Sequence, residues 1–321
     1  MNKLEKISYS KLSTYEQCPR KFLHKYEEKK YSNTTSLALE IGTITHYGKE
    51  LVANAIIAGE KPDYPAIKDI VMQGYINEKP DGTFETIPGA TDLKEKYLYE
   101  WHEVCEKSGM DYNQKLAIYM DNLNNLEVES SLWRPIATEY HFDTPYTHEG
   151  EDLFRLHGFI DRVDQNQQGD LRVADYKSSK KLFDDKDIKT PMQMFFYTLA
   201  LEKEMGKTPV EHLYDFMFLD QFQLACSKGY YKRGHAKLLK LWQALQESRA
   251  TGIYKPKPTP LCHWCEYSKT NPNATEDYKH ECPYHSLWTP QNKTYEKNME
   301  FDEHGKSAPA SENSTSKEFW F

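Results

Sequence analysis

Residues 153–177 decide the fold, and they read LFRLHGFIDRVDQNQQGDLRVADYK. Two runs of apolar and β-branched residues flank a turn at residues 169–170, so the stretch predicts two strands of a β-meander. Thirteen residues separate Asp161 from Asp175. This length fits the end of one strand, a hairpin turn and the adjacent antiparallel strand. The pattern therefore predicts that the two carboxylates meet at one point of a sheet.

A cation site is expected where these carboxylates meet. Because side chains alternate along a strand, Asp175 and Lys177 share one face. Two carboxylates beside one ammonium suit Mg²⁺ or Mn²⁺ with a phosphate, since hard cations prefer oxygen ligands. Such a metal lowers the pKa of a bound water, and Lys177 would orient that water or neutralise developing charge. A surface hairpin with a salt bridge fits the same three residues.

Helical and strand patterns alternate around this hairpin. The predicted helices are 7–30 with a break after Cys18, 36–59, 91–130, the residues after Pro191, and 234–251. The predicted strands are 136–142, 153–163, 171–177 and 212–219, and residues 60–90 are rich in loop signals. This order predicts an α/β fold in which one domain, residues 1–289, contains a helical insertion at about 60–131.

Composition and charge narrow the class of protein. The chain has 321 residues, with 41 Lys plus Arg, 49 Asp plus Glu and a net charge of −8. Aromatic residues make up 13%, enough apolar area for a core. No apolar run approaches the roughly 20 residues that span a bilayer, and residues 1–6 lack the apolar stretch of a signal peptide. We therefore expect a cytoplasmic protein, in the host cytoplasm if it is virus-encoded, with no membrane partner. The acidic total argues against general coating of polyanions but is compatible with a local basic groove for nucleic acid.

The cysteines are unevenly placed. Cys262 and Cys265 form a C-x-x-C pair, and Cys282 follows shortly after. In a cytosolic chain of this length a disulfide framework is a poor interpretation. The clustering indicates a metal site.

Six motifs then occur in an order that is typical of one nuclease family. They are SYSKLSTYEQCPRKF at 8–22, GTITH at 42–46, HGFIDRVD at 157–164, DYK at 175–177, QMFFY at 193–197, and the cysteines from 262 onward. With this set the chain resembles the PD-(D/E)xK nucleases, in particular the RecB-type branch with an iron–sulfur cluster, which includes AddB and CRISPR-associated exonucleases. The resemblance covers residues 8–285. It implies a restriction-endonuclease-like core, a small mixed sheet flanked by helices, with a C-terminal cysteine-cluster segment.

The resemblance also implies roles for individual residues. The implied Mg²⁺ or Mn²⁺ ligands are His46, Asp161, Asp175 and the backbone carbonyl of Tyr176, and the implied catalytic residues are Lys177, Asp161, Asp175, Gln193 and Tyr197. Gln193 and Tyr197 lie four apart on one helix face and would position the lysine or the DNA backbone. Glu139 on the preceding strand fits an auxiliary acid and an exposed strand residue equally well.

Two positions depart from the family pattern. Ile160 stands where the superfamily name has Pro. Asp175 replaces the commoner Glu, which shortens the reach of the carboxylate by one methylene. This shorter reach is expected to alter the metal preference.

Four cysteines are implied to hold a 4Fe–4S cluster, namely Cys18, Cys262, Cys265 and Cys282. The sixteen residues between Cys265 and Cys282 exceed the usual spacing in relatives, so this insert must loop out. Zinc is the alternative, since Cys262, Cys265, Cys282 and His285 form C-x2-C-x16-C-x2-H, a tetrahedral set that needs nothing from Cys18. If Cys18 takes part, the cluster ties the two ends of the domain together and is structural.

The expected function is metal-dependent hydrolysis of DNA phosphodiester bonds, as an exonuclease in recombination, repair or replication. The alternative is a non-catalytic DNA-binding or scaffold subunit with the same fold. Asp161, Asp175 and Lys177 are all present, which favours the enzyme.

The C-terminal segment has a different composition. Residues 290–321 are polar and acidic, which predicts a disordered tail, and they end in the aromatic tip 319–321. Such a tip fits either a docking element for a replication or recombination protein or an accidental chain end.

Overall fold

The computed structural model divides the chain into two units. The first contains residues 1–9 and 35–234, and the second contains residues 10–34 and 235–321. The described residues are 4–31, 37–73, 76–78, 84–86, 112–179, 181–225, 230–271, 274, 277–284, 299–301 and 307–309. Within these ranges, no helix has the length and apolar character needed to cross a membrane.

Strands and helices alternate along the chain. The strands are β1 Lys6–Ile7, β2 Ile76–Glu78, β3 Phe84–Thr86, β4 Arg134–His148, β5 Glu151–Gln165, β6 Leu171–Lys177, β7 Glu211–Phe216, β8 Gln221–Leu224, β9 Met299–Phe301 and β10 Ser307–Pro309. The helices are α1 Tyr9–Gln17, α2 Pro19–Phe22, α3 Leu37–Ala58, α4 Tyr64–Gln73, α5 Tyr112–Glu129, α6 Asp185–Lys189, α7 Met192–Met205 and α8 Tyr230–Thr251. A π-helical turn, Leu23–Glu27, follows α2, and a 3₁₀ turn, Pro260–Trp264, follows α8.

A six-stranded mixed sheet forms the centre of the first unit. The long strand β5 pairs antiparallel with β4 along its length, parallel with β1 near Arg155, and antiparallel with β6 near its end. β7 lies parallel to β6, and β8 pairs antiparallel with β7. Because parallel neighbours need a crossover connection, α6 and α7 lie in the chain between β6 and β7. A mixed sheet flanked by helices confirms the predicted α/β fold and is the restriction-endonuclease-like core that the resemblance implies.

Helices cover both faces of β6. The Tyr176 side chain packs in a hydrophobic cluster built from α3, α4 and α5, whose other members include Ile44, Val52, Ile67, Tyr119, Leu123 and Met217. The preceding residue, Asp175, instead contacts Tyr197 on α7. Since successive side chains of a strand point to opposite faces, these two groups of helices lie on opposite sides of β6.

Most predicted elements are confirmed, and one loop prediction is wrong. The strands around the hairpin are present, with β4 and β5 reaching 15 residues each. The predicted break after Cys18 is also present, because Cys18 is extended and Pro19 begins α2. Residues 60–90, however, contain α4. Pro65 lies in the first turn of this helix, where a backbone N–H has no partner in the helix.

The predicted insertion and tail are described only in part. α4, α5 and the β2–β3 hairpin lie within the predicted insertion at 60–131, and residues 87–111 are outside the described residues. In the tail predicted to be disordered, β9 and β10 pair antiparallel. The aromatic tip 319–321 lies outside the described residues, so its docking role stays a prediction.

Candidate active site

The two hairpin carboxylates lie on neighbouring strands. Arg162 of β5 pairs with Ala174 of β6, so Asp161 and Asp175 follow at the next position of the antiparallel register. The backbone N–H of Tyr176 donates to Asp161 Oδ2 at 2.7 Å. The meeting of the carboxylates that the sequence predicts is therefore observed.

These carboxylates repel each other in a buried place. Burial raises the pKa of Asp161 well above its usual range, and the nearby charge of Asp175 raises it further. The hydrogen bond from Tyr176 acts in the opposite direction but does not offset the other two effects. A divalent cation would remove this penalty, because opposite charge favours the ionised carboxylates.

Lys177 shares a face with Asp175, as the strand alternation predicts. Its ammonium pairs with Asp175 Oδ2 and donates to Gln193 Oε1 at 3.1 Å. Burial alone would lower the pKa of Lys177, but the charges of Asp175 and Asp161 more than offset it, and the pKa is raised. The side chain is therefore a fixed ammonium at the site.

Gln193 and Tyr197 reach Asp175 from α7. The amide Nε2 of Gln193 donates to Asp175 Oδ1 at 2.8 Å and to the Tyr197 hydroxyl at 2.8 Å. That hydroxyl in turn donates to Asp175 Oδ1 at 3.1 Å. Burial, and next the charge of Asp175, raise the pKa of Tyr197, so the phenol keeps its proton. The two residues thus hold both the carboxylate and the lysine.

His46 approaches from α3 on the Asp161 side. Its Nδ1 lies 3.5 Å from Asp161 Oδ2, and its ring meets the Tyr176 ring edge-on with 5.6 Å between centroids. Burial lowers the pKa of His46, although the charge of Asp175 acts in the opposite direction. A neutral imidazole is the form that binds a metal.

The residues present fit a divalent metal. They offer two carboxylates, one neutral imidazole and the Tyr176 carbonyl, a set rich in the oxygen donors that Mg²⁺ and Mn²⁺ prefer. The raised pKa of Asp161 indicates that the surrounding groups do not fully offset the negative charge of the two carboxylates. His46, Asp161 and Asp175 lie on neighbouring elements around Tyr176, as the resemblance implies, but their ligand atoms do not all lie within 4.8 Å of one another, so a bound metal would draw them closer together.

Glu139 lies near Asp161 on the far side from Asp175. Its neighbours Thr138 and Tyr140 pair with Arg162 and Ile160, and Glu139 has a left-handed φ of 44° between them. Burial and the nearby Glu50 raise its pKa, and its charge adds to that felt by Asp161. Strained backbone of this kind is often found at functional sites. The side chain is exposed, which fits the exposed strand residue, and its place opposite Asp161 fits the auxiliary acid, so both interpretations stand.

A buried ion pair behind the site has no counterpart in the motifs. Lys49, one turn after His46 on α3, is fully buried and lies 2.8 Å from Asp215 of β7, which pairs with Tyr176 in the sheet. Asn122 donates to the other Asp215 oxygen at 2.9 Å. The Lys49 ammonium also lies 5.7 Å from the centroid of the Tyr176 ring. In the sequence, Lys49 falls at helical spacing within the apolar face of α3, and this pattern is the signal that could have revealed the buried pair.

In the second unit, the four predicted cysteines line one pocket. Each Sγ accepts a backbone N–H. Lys257 donates to Cys18 and Thr259 to Cys262, both at 3.4 Å. The N–H groups of Tyr267 and Tyr284 bond to Cys265 and Cys282. Such donors stabilise sulfur ligands of metal centres.

The thiols are poorly solvated and widely spaced. Burial raises the pKa of Cys262 and Cys265, and raises that of Cys282 to about 12, so thiolates there need a bound cation. Among the described residues, the one group of three potential ligand atoms within 4.8 Å of one another is His24, Glu28 and Glu281, and it contains no cysteine. Tetrahedral zinc would hold its sulfurs roughly 3.8 Å apart, given Zn–S bonds of about 2.3 Å. His285 lies outside the described residues.

His24 belongs to the same pocket, and sequence reasoning missed it. The side chain is buried on the π-helical turn, its Nδ1 lies 2.8 Å from Glu28 Oε2, and its Nε2 has no hydrogen-bond partner among the described residues. Lys30 binds Glu28 at 2.9 Å and Glu281 at 2.7 Å. This ammonium pairs with both carboxylates, which accounts for their closeness without a metal.

One comparison with known proteins gives a match. A family model described as the PD-(D/E)XK nuclease superfamily matches residues 6–270. This range covers most of the chain and includes every candidate active-site residue described above, on both the strands and the helices. No curated protein matches the chain.

Proposed function

Because the chain belongs to the PD-(D/E)XK nuclease superfamily, we propose that it is a metal-dependent DNA exonuclease of the RecB-type branch. The observation that carries the proposal is the complete set of Asp161, Asp175 and Lys177, held together by Gln193 and Tyr197. The proposed substrate is DNA handled in recombination, repair or replication.

The protein's own groups divide the work of phosphodiester hydrolysis. A bound Mg²⁺ or Mn²⁺, held by His46, Asp161, Asp175 and the Tyr176 carbonyl, would polarise the phosphate and lower the pKa of a water. Gln193 fixes the Lys177 ammonium, which stabilises the negative charge that develops on the phosphoryl oxygens. Tyr197 keeps Asp175 oriented without competing for its charge, since the phenol stays neutral.

A non-catalytic scaffold is the alternative, and the buried charges argue against it. Holding Asp161, Asp175 and Lys177 together out of water costs free energy. Binding to the DNA backbone needs only exposed cations. Active sites tolerate this free-energy cost because the buried, mutually perturbed groups perform the chemistry.

The deciding experiment compares the wild type with Lys177→Met on four DNA substrates. These are closed plasmid, circular single strands, and end-labelled linear single and double strands, each with Mg²⁺, Mn²⁺ or EDTA. We expect the wild type to degrade linear DNA only with a metal and to leave circles intact. Lys177→Met should be slower by roughly 10²–10³-fold, because a fixed charge that stabilises the transition state is lost.

The exposed Lys181 provides the matched control, since Lys181→Met removes a lysine that is close in sequence but lies outside the motifs. Wild-type protein that binds but never cuts DNA would support the scaffold. Cutting of circles would replace exonuclease by endonuclease, and normal cleavage by Lys177→Met would remove the proposed role of the lysine.

We propose that Cys18, Cys262, Cys265 and Cys282 hold a 4Fe–4S cluster. Four sulfurs, each with an N–H donor, match the ligand number of such a cluster. Their separation also supports it, since no three of them lie within 4.8 Å of one another and several irons span more space than one zinc ion. The cluster would be structural, because Cys18 and Cys262 are far apart in sequence.

Anaerobic purification tests this proposal through iron, sulfide and visible absorbance. Wild-type protein should be brown, with about four irons per chain. Cys18→Ser should lose the colour and lower the melting temperature, whereas Cys226→Ser, at a cysteine outside the proposed ligand set, should not. Colourless protein with one equivalent of zinc that survives in Cys18→Ser would favour the zinc set instead.

A further inference from the structure

A pocket of about 590 Å³ lies against α7. Its walls include Met194, Thr198 and Glu202, whereas Gln193 and Tyr197 of the same helix contact Asp175. At 3.6 residues per turn these two sets lie on different faces of α7. The volume is in the range of small-molecule sites, which is about 300–1,000 Å³. The active-site motifs do not use this face.

A buried hydrogen-bond acceptor belongs to the pocket wall. The Thr198 hydroxyl donates to the Met194 carbonyl at 2.9 Å, so its oxygen must accept the 2.7 Å bond from His212 Nε2. His212 therefore has its proton on Nε2, and Nδ1 has a free lone pair. The side chain is 1% exposed, and Nδ1 has no hydrogen-bond partner among the described residues. Burial lowers the pKa of His212 to about 4, so the ring stays neutral.

Aromatic rings and one carboxylate complete the wall. Tyr231 is 44% exposed, and its ring centroid lies 5.7 Å from that of Phe195. The Tyr231 hydroxyl donates to Glu202 at 2.7 Å, and the Thr208 hydroxyl donates to the other oxygen of Glu202 at 2.6 Å. No Lys or Arg lines the pocket in the described part of the chain. Glu202 would repel a phosphate, so the site suits a neutral, flat ligand that donates an N–H.

We propose that this pocket receives one unstacked nucleobase of a bound DNA strand, with a base N–H donating to His212 Nδ1 and the ring packed against Phe195 and Tyr231. The inference rests on the proposed action on DNA. Every DNA base has an N–H donor, on an amino group or on N3 of thymine, so the contact distinguishes a base from sugar and phosphate without selecting sequence. A buried acceptor without a partner carries a desolvation penalty, and a bound donor would recover part of it.

The position on α7 relates the pocket to the reaction. A strand whose scissile phosphate lies at Asp161 and Asp175 must pass this helix, about 10 Å across, to reach the pocket. The seated base therefore belongs to a nucleotide near the cut, not to the cut nucleotide itself. Aromatic packing of single-stranded bases is tolerant of sequence, as a nuclease that moves along DNA requires.

Abasic scanning provides the test. Single-stranded oligonucleotides, each with one abasic site at a successive position, are titrated in EDTA against Lys177→Met protein, so that neither the lysine nor a metal supports cutting during the measurement. We expect one position at which loss of the base weakens binding about tenfold, the scale of one base–aromatic contact. Tyr231→Ala and His212→Phe, each added to Lys177→Met, should remove that positional effect. Phe222→Ala, at an exposed aromatic on β8, should preserve it.

The outcomes separate this inference from the proposed function. Equal affinity at every position, or a positional effect that survives in Tyr231→Ala, overturns the base pocket even if the wild type cuts DNA. A positional effect without cleavage by the wild type supports the pocket and contradicts the nuclease. Tyr231 is half exposed, so its variant tests the pocket if the buried His212→Phe fails to fold. A last measurement follows the fluorescence quenching of the free nucleoside 2-aminopurine deoxyriboside. Binding of this nucleoside without any binding of DNA would contradict the proposal that the base belongs to a bound DNA strand.

Discussion

Asp161→Asn is expected to lower the single-turnover rate of DNA cleavage by about 10³-fold or more at saturating Mg²⁺. Asparagine keeps the shape of the side chain and an oxygen that accepts the Tyr176 N–H, but it lacks the charge that a divalent metal requires. Several kcal/mol of transition-state stabilisation depend on that metal, and each factor of ten corresponds to about 1.4 kcal/mol.

The same substitution should raise the melting temperature in the presence of EDTA. Burial and Asp175 raise the pKa of Asp161, so the ionised carboxylate destabilises the fold at neutral pH. A neutral amide removes that penalty. Asp152→Asn, at an exposed carboxylate on the same strand, is the control and should change neither value. Cleavage within tenfold of the wild type would show that Asp161 is not a metal ligand.

The hairpin with its two carboxylates could be predicted because its information is local. Strand alternation, a turn of fixed length and a register set by that turn place Asp161 beside Asp175, and place Lys177 on the Asp175 face. Helical spacing likewise puts Gln193 and Tyr197 together. These steps need only the covalent chain and its period, so no knowledge of long-range packing was required.

Contacts between side chains on different helices and strands could not be predicted in this way. Lys49 meets Asp215 only because α3 packs over β6 and β7, and His212 lines a pocket only because α7 lies beside it. The left-handed backbone of Glu139 is equally invisible to a strand pattern, which assumes regular φ and ψ. Such features depend on tertiary contacts, which override local preference.

A network of charges beneath the active site joins its two strands. Asp164 of β5 pairs with Arg172 of β6 in the sheet register and is fully buried. Arg172 Nε donates to Asp164 at 2.8 Å, and Arg162 Nε lies 2.8 Å from the same carboxylate. Arg162 Cζ also lies 5.6 Å from the centroid of the Tyr176 ring. Asp164 thus holds together two arginines on the strands that position Asp161 and Asp175.

Asp164→Asn is expected to lower the free energy of unfolding by about 3–5 kcal/mol, because it leaves two buried guanidinium groups with insufficient negative charge. The pKa of Arg162 is raised because Asp164 and other negative groups outweigh its burial, so this arginine stays charged and cannot relieve the penalty by losing its proton. Glu129 binds both arginines, at 3.5 Å and 2.8 Å, and would compensate only in part. Urea denaturation measures the effect, with Asp170→Asn in the exposed turn between β5 and β6 as the control, where a change within about 0.5 kcal/mol is expected. A loss below about 1 kcal/mol for Asp164→Asn would mean that Glu129, together with Glu211 at 3.6 Å from Arg172, is sufficient to stabilise both guanidinium groups.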